Sequence, residues 1–549
     1  MKNFLLIIES THKINAINSL LVQGGHSEFK VVATRGRIRD LPSDRMGINL
    51  NDYSFEEVDV LPSVTNYIKE MSCKFGTTFI CTDADNEGEK IAFDITNLVE
   101  NSVKRSVIKA YTPEALTFAL ENSIKLDESK IKAQVAKRIF DRVVSSDLAK
   151  TNLPDSLDHS GIGRIITPVL SLISESKPKS GVVYRDFESK GDIVRFIVDC
   201  HGLTKEEVSS VAEIVSGVGD IEFSLEEQKD MIDSSTFWNG KQAMVNIASS
   251  LNMAVKEVFD HLQDLYTQGM ISYFRTDTCD LSKDDASKLT KIAMEHGIGI
   301  DAESSIIDRS ILGNKRLSAL EMQQHSHGAL IPLSSSIDPT LPLSMLSDRD
   351  KVYSLLLRHS LKVMKKPARL TEKVFTPNVN KSSVFFNTLN KYDVKFKSVS
   401  RTIQAQGRPV APYYPETNPN GVSLGTKKID RNCGYRVIQP DLMVSMVLIK
   451  HGLSRPSTFA YHSDRIAKNF INERNELNNR GSKALQSAKG VSTALCSPKT
   501  YHSLESIFSQ QGFSITKILD ETLSIVGINK NSIKEETGKE KSNDYSPFG

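Results

Sequence analysis

The chain has 549 residues, 39% of them hydrophobic and 25% charged, with a formal net charge of +2. That length allows three or more domains with real cores, and the composition excludes membrane and collagen-like classes. Six scattered cysteines (Cys73, Cys81, Cys200, Cys279, Cys433, Cys496) with no C-x-x-C pair support neither a disulfide framework nor a zinc ribbon, so a reducing cytoplasm is expected. The small net charge hides an uneven distribution. Residues 201–260 hold 4 Lys/Arg against 11 Asp/Glu, whereas residues 441–500 hold 9 against 4, as suits a polyanion-binding groove or a solvated helical surface.

Phe4-Leu5-Leu6-Ile7-Ile8 reads as a buried parallel-type strand that ends in Glu9-Ser10, with Lys13 soon after. Neither a signal peptide nor a membrane span of about 20 apolar residues is expected. A second strand, Thr77-Thr78-Phe79-Ile80-Cys81, runs into Thr82-Asp83-Ala84-Asp85-Asn86-Glu87-Gly88-Glu89, four carboxylates in eight residues, and then into a helix from Glu87 to Leu98. Such crowding in a partly desolvated place is relieved most simply by a hard divalent cation, so the run is expected to bind Mg2+ through Asp83, Asp85 and Glu87. An acidic first helical turn favoured by the helix dipole would have the same composition. Glu9 at the end of another strand shifts the balance, because neighbouring strands would bring it to the same cluster.

Further along, Arg138 and Arg142 are spaced i, i+4 and share a helix face, as a phosphate-tracking helix or an ordinary solvated face requires. Ile193-Val194-Arg195-Phe196-Ile197-Val198 reads as a strand. A helix ending near Leu265-Tyr266 leads into Gly269-Met270-Ile271-Ser272-Tyr273-Phe274-Arg275-Thr276-Asp277-Thr278. From about Lys530 to Gly549 the chain is polar and charged, and a disordered tail is expected there.

The acidic cluster at two strand ends resembles the TOPRIM domain, and the Tyr273 segment resembles the active-site motif G-hydrophobic-I-S/T-Y-x-R-T-D-S/T of type IA DNA topoisomerases. Other segments are similar to that family. Ala33–Pro42 matches A-T-x-G-H-I-R-D-L-P, Ala136–Arg142 matches A-R-x-x-x-D-R, Gly161–Pro168 matches x-x-G-R-V-Q-T-P, and Gly452–Ala460 matches G-I-G-R-P-S-T-Y-A. The resemblance implies that Tyr273 is the nucleophile, Arg275 a phosphate ligand, Glu9 the general acid and a metal ligand, and Lys13 the basic residue of E-S-P-A-K. It also implies DNA contacts by Arg138, Arg142, Gly163, Arg164, Arg455, Ser457 and Thr458. His327 is the one residue carried over from H-E-A-I-R-P. Departures mark a divergent member: Thr11-His12 replace Pro-Ala, Asn86 stands where most relatives have arginine, Ile166 replaces glutamine, and Gly328 and Ile331 replace glutamate and arginine.

The implied architecture is multidomain α/β plus α: a TOPRIM α/β domain to residue 118, a helical single-stranded-DNA-binding domain from 119–184 and 436–512, a β-rich hinge arch from 185–230 and 372–435, and a helical domain from 231–371 carrying Tyr273, together forming a toroid. The implied activity is ATP-independent cutting, passage and resealing of one strand, with single-stranded or negatively supercoiled DNA as partner, no membrane, a monomer, and a cytoplasmic, nucleoid-associated location. The absent zinc ribbons remove the usual extra single-strand contacts. A TOPRIM primase or nuclease, or a DNA-binding homologue with decayed catalysis, are the competing readings; the first has no use for Tyr273-Phe274-Arg275.

Overall fold

The structure, a computed structural model, describes residues 3–108, 111–149, 163–232, 236–298, 328–364, 369–392, 394–405, 408–412, 427–429 and 432–528. His327 and the tail expected from 530 lie outside the described residues. The chain folds as two compact units, one of residues 1–171, 266–269 and 483–549, the other of 172–265 and 270–482.

In the first unit, β1 (Phe4–Ile8), β2 (Phe29–Ala33), β3 (Thr77–Ile80) and β4 (Ser102–Arg105) form a wholly parallel sheet in the order β2-β1-β3-β4, with α1 (Ile14–Gln23) joining β1 to β2. The apolar runs of β1 and β3 follow from this central position, because a parallel strand covered on both faces has no polar side to show. Leu5, Ile7, Val32 and Ile80 pack one face against Val64 and Ile68 of α2 (Pro62–Ser72) and Ile91 and Ile95 of α3 (Asn86–Leu98). The strand order reverses between β1 and β3, so the chain leaves both strands side by side at their carboxyl ends, where open α/β sheets bind ligands. Behind them lies α4 (Glu128–Ala149), packed on α3 and on the late helices Pro498–Phe508 and Ile515–Ile525.

In the second unit, the segments expected to be strand-rich join in one eight-stranded sheet. β5 (Lys179–Ser189), β6 (Asp192–His201), β7 (Phe223–Ile232), β8 (Arg369–Pro377), β9 (Lys395–Ala405), β10 (Arg408–Pro412), β11 (Lys427–Lys428) and β12 (Cys433–Val437) are ordered β11-β12-β5-β6-β9-β8-β7, with β10 beside β9. Alternation along β6 sends Val194, Phe196 and Val198 to the face covered by Val208, Val211 and Val215 of α5 (Lys205–Gly217), while Ile197 takes the other face with Tyr184 and Val399. The helical part holds α6 (Gly240–Leu251), α7 (Val255–Thr267), α8 (Pro440–Lys450) and α9 (Phe459–Phe470), with α8 against both α6 and α9. In this two-unit division, residues 172–184 and 436–482 fall with the second unit. The reason is packing, since β12 pairs with β5 and α8 packs on α6.

Candidate active site

The acidic end of the first sheet is closely built. Cys81 donates its N–H to the Ile7 carbonyl at 2.7 Å, extending the β1–β3 ladder, and the next turn brings the Asp83 N–H to the Glu9 carboxylate at 2.8 Å. Asp85 caps α3 by accepting from the Gly88 N–H at 2.8 Å, which offsets one orphan donor of the first turn. Gly88 is required for this closeness: a Cβ there would lie 2.0 Å from the Asp83 carbonyl oxygen and 2.9 Å from Glu9 Oε1. Arg105, 3% exposed, clamps the loop from beneath, donating to the carbonyls of Ile80, Thr82, Asp83 and Ser106 and to Glu89. Neither Arg105 nor its pairing with Glu89 was legible in the acidic run.

Burial, then the charges of Asp83 and Asp85, push the Glu9 carboxyl up to about 8, against the pull of Lys13. Lys13 is buried, with its Nζ 3.0 Å from Asp83 Oδ1 and 5.7 Å from the ring centres of both Tyr111 and Tyr266. Glu87 accepts from Arg37 Nε at 3.0 Å, and burial pushes its carboxyl up against the pull of Arg37, with the charge of Asp85 adding to the rise. Among the described residues no three His, Cys, Asp or Glu side chains converge as a preformed metal site. The hard oxygen donors Asp83, Asp85 and Glu9 nevertheless fit a divalent cation, because the crowding that raises Glu9 is what such an ion relieves.

Three of the arginines expected on DNA have protein partners. Arg138 forks onto both oxygens of Asp40 at 2.7 and 2.8 Å, and Arg142 donates to the carbonyls of Pro42 and Arg45, both at 2.7 Å. They share one face of α4, as the spacing predicts, but that face holds the 40–46 loop. Arg164 pairs with Asp141 at 2.9 Å and with Glu505. In this structure each guanidinium thus meets carboxylate or carbonyl oxygen of the protein. Gly163 opens the turn before Arg164, and an added Cβ there would meet nothing within 4 Å.

In the second unit, Tyr273 is 5% exposed and lies on an extended segment paired with 329–333. Ser272 N–H donates to the Ile331 carbonyl and Ile331 N–H to Ser272 Oγ, both at 2.9 Å, so the tyrosine segment and the segment that follows His327 lie together. Arg275 donates to Gln263 of α7 at 2.9 Å, and its guanidinium is 5.7 Å from the rings of Phe259 and Phe274. The amino end of α6 sits on the same segment: Gly240 N–H donates to the Thr276 carbonyl at 3.0 Å, and a Cβ on Gly240 would lie 1.8 Å from the Phe274 carbonyl oxygen. Arg455, Ser457 and Thr458 are half-buried in the loop before α9. No helix among the described residues is long and apolar enough to cross a membrane.

A Toprim domain model matches residues 4–112 and a DNA topoisomerase model matches residues 125–505. Similar curated proteins include DNA topoisomerase 1 of Thermotoga maritima, 23% identical over 83% of this chain and 72% of that one, and those of Campylobacter jejuni (25%; 69% and 57%) and Pseudomonas aeruginosa (24%; 84% and 58%). The chain thus spans under two thirds of the length of the second and third. The solved structure of full-length topoisomerase I from Thermotoga maritima aligns over 96% of this chain and 90% of that one with a TM-score of 0.60 at 19% identity, a likeness of fold. With the topoisomerase model covering most of the sequence beyond a Toprim sheet whose acids meet at its switch point, the chain belongs to the type IA DNA topoisomerase family.

Proposed function

We propose that the chain itself performs the family's reaction on DNA: magnesium-dependent, ATP-independent cutting of a single strand, strand passage and resealing, which relaxes negative supercoils or unlinks catenanes. The observation that carries this is the buried Glu9 carboxyl held against the Asp83 loop in one unit, combined with Tyr273 and Arg275 on one backbone segment in the other.

Tyr273 Oη releases its proton to solvent and attacks a backbone phosphorus, the P–O3′ bond breaks, and the strand's 5′ phosphate stays on the tyrosine. The bond energy is conserved in that ester, so resealing needs no nucleotide. Arg275 offsets the charge that builds on the phosphate oxygens. Glu9, kept protonated by burial and its acidic neighbours, gives its proton to the leaving 3′ oxygen and takes it back on resealing. Lys13 steadies the same region through Asp83. Asp83, Asp85 and Glu87 would hold Mg2+, with Glu9 joining them once its proton has passed to the 3′ oxygen, and the ion's positive charge would favour the phosphate geometry needed for resealing. Arg455, Ser457 and Thr458 bind the strand's phosphates, and underwound DNA supplies the single-stranded stretch.

Plasmid relaxation tests the reading. The full chain should relax negatively supercoiled plasmid with magnesium and no ATP; absence of relaxation at any magnesium concentration refutes it and favours a homologue with decayed catalysis.

A further inference from the structure

Lys241, in the first turn of α6, belongs to none of the family-like motifs, yet it joins two of them. Its side chain is 13% exposed, and Nζ reaches Asp277 Oδ1 at 2.7 Å and the Ser454 carbonyl at 3.2 Å. Asp277 lies two residues past Arg275 and four past Tyr273, and Ser454 immediately precedes Arg455.

Both ends of this bridge are fixed independently. On the tyrosine side, Asn239 and Gly240 bind the carbonyls of Asp277 and Thr276 at 3.1 and 3.0 Å, so the helix that carries Lys241 cannot slide along the segment. On the loop side, Ser454 has φ 67°, a left-handed backbone that suits glycine, and glycine is what the G-I-G-R-P-S-T-Y-A motif has there. Serine holds this conformation while buried, with Oγ 2.7 Å from His462 Nδ1 and 3.3 Å from Thr458 Oγ1. Strained backbone persists where its surroundings over-determine it, and here three contacts converge on the residue that aims Arg455.

We propose that Lys241 is a positioning residue that locks the Gly452–Ala460 loop to the tyrosine segment, so that a strand held at Arg455 meets Tyr273 in one fixed register. The proposal rests on the topoisomerase reading. An ion pair whose aspartate is half exposed does little for stability, but misplacing a reacting phosphate does much to rate.

The test uses the full chain and an end-labelled single-stranded oligonucleotide, with cut positions mapped in single turnover, affinity measured by anisotropy at fixed salt, and the melting midpoint recorded. Lys241→Met should spread cutting over neighbouring phosphates and slow it by about tenfold or more, while affinity and midpoint hold. Lys241→Arg, whose fork can reach both acceptors, should restore register and rate. Asp277→Asn should reproduce the defect, and adding it to Lys241→Met should cost nothing further. Wild-type cut positions and rate in Lys241→Met overturn the proposal, as does a fall in rate matched by an equal fall in affinity. If Lys241→Met melts early, Asp277→Asn takes its place, and a normal register there overturns the proposal equally. A wild-type chain that forms no covalent product refutes the underlying topoisomerase reading instead.

Discussion

Arg138 holds Asp40 by both carboxylate oxygens, at 2.7 and 2.8 Å, across 98 residues of sequence. Burial works to raise the Asp40 carboxyl, but Arg138 and Arg37 outweigh it and leave it below the usual carboxylate range. Arg138→Ala should therefore cost about 1–3 kcal/mol of stability by leaving a half-buried carboxylate short of a partner. A depressed acid stabilises the fold above its unfolded pKa of about 4 and loses that contribution as pH falls through the lower folded value. The gap between wild type and variant in urea melts should thus be full at neutral pH and close in acid; a gap that persists in acid would refute the clamp.

Gly88 admits α3 to the acidic loop. An added methyl group would sit 2.0 Å from the Asp83 carbonyl oxygen, which no rotamer change can relieve because the obstacle is backbone. Gly88→Ala is expected to cost about 1–3 kcal/mol through overpacking and to displace Glu9 from the Asp83 N–H. Thermal melting checks the first effect and loss of strand cleavage the second. A variant with wild-type melting and cleavage would show that the loop moves aside freely.

Tyr273→Phe removes only the nucleophilic oxygen. Denaturing a mixture of enzyme and end-labelled oligonucleotide should leave label on wild type through a 5′ phosphotyrosine and none on the variant, with single-strand binding nearly unchanged. Label retained on the variant would assign the nucleophile to another residue.

The elements that position this chemistry were readable because each has a local signature. β1 and β3 are apolar runs of the kind a doubly covered parallel strand needs, and α3 starts where Asp85 offers a cap. What escaped was long-range pairing. The i, i+4 spacing of Arg138 and Arg142 says that they share a face but not what covers it, and Arg164 meets Glu505 across 341 residues. The same limit hid Arg105, whose acceptors are mostly backbone carbonyls, and Lys241, whose two partners lie in different motifs. Spacing likewise could not reveal Arg37 as a partner of Glu87.

At the proposed site magnesium would compete with Lys13, which lies 3.0 Å from Asp83. Alanine at both Asp83 and Asp85 should abolish relaxation. Lys13→Met should lower the magnesium concentration at which cleavage complexes reseal, because a competing cation is gone. Titration of relaxation and of covalent complex against magnesium measures both. An unchanged magnesium dependence in the double variant would place the ion elsewhere.

Arg455 lies in the loop that resembles a DNA-contacting motif of the family, and that loop leads into α9 within the basic 441–500 stretch. If it tracks the backbone, its loss should lower the slope of log affinity against log salt by about 0.7 for single strands, with sequence preference barely altered. Arg138→Ala, by contrast, should leave that slope nearly intact while it lowers stability, because its charge is spent on Asp40. Fluorescence anisotropy over a salt series, with single-stranded and duplex oligonucleotides, separates the two arginines. Equal affinity for both DNA forms, or a slope that falls with Arg138→Ala but not with Arg455→Ala, would reverse the assignment and move the strand from the 452–460 loop to α4.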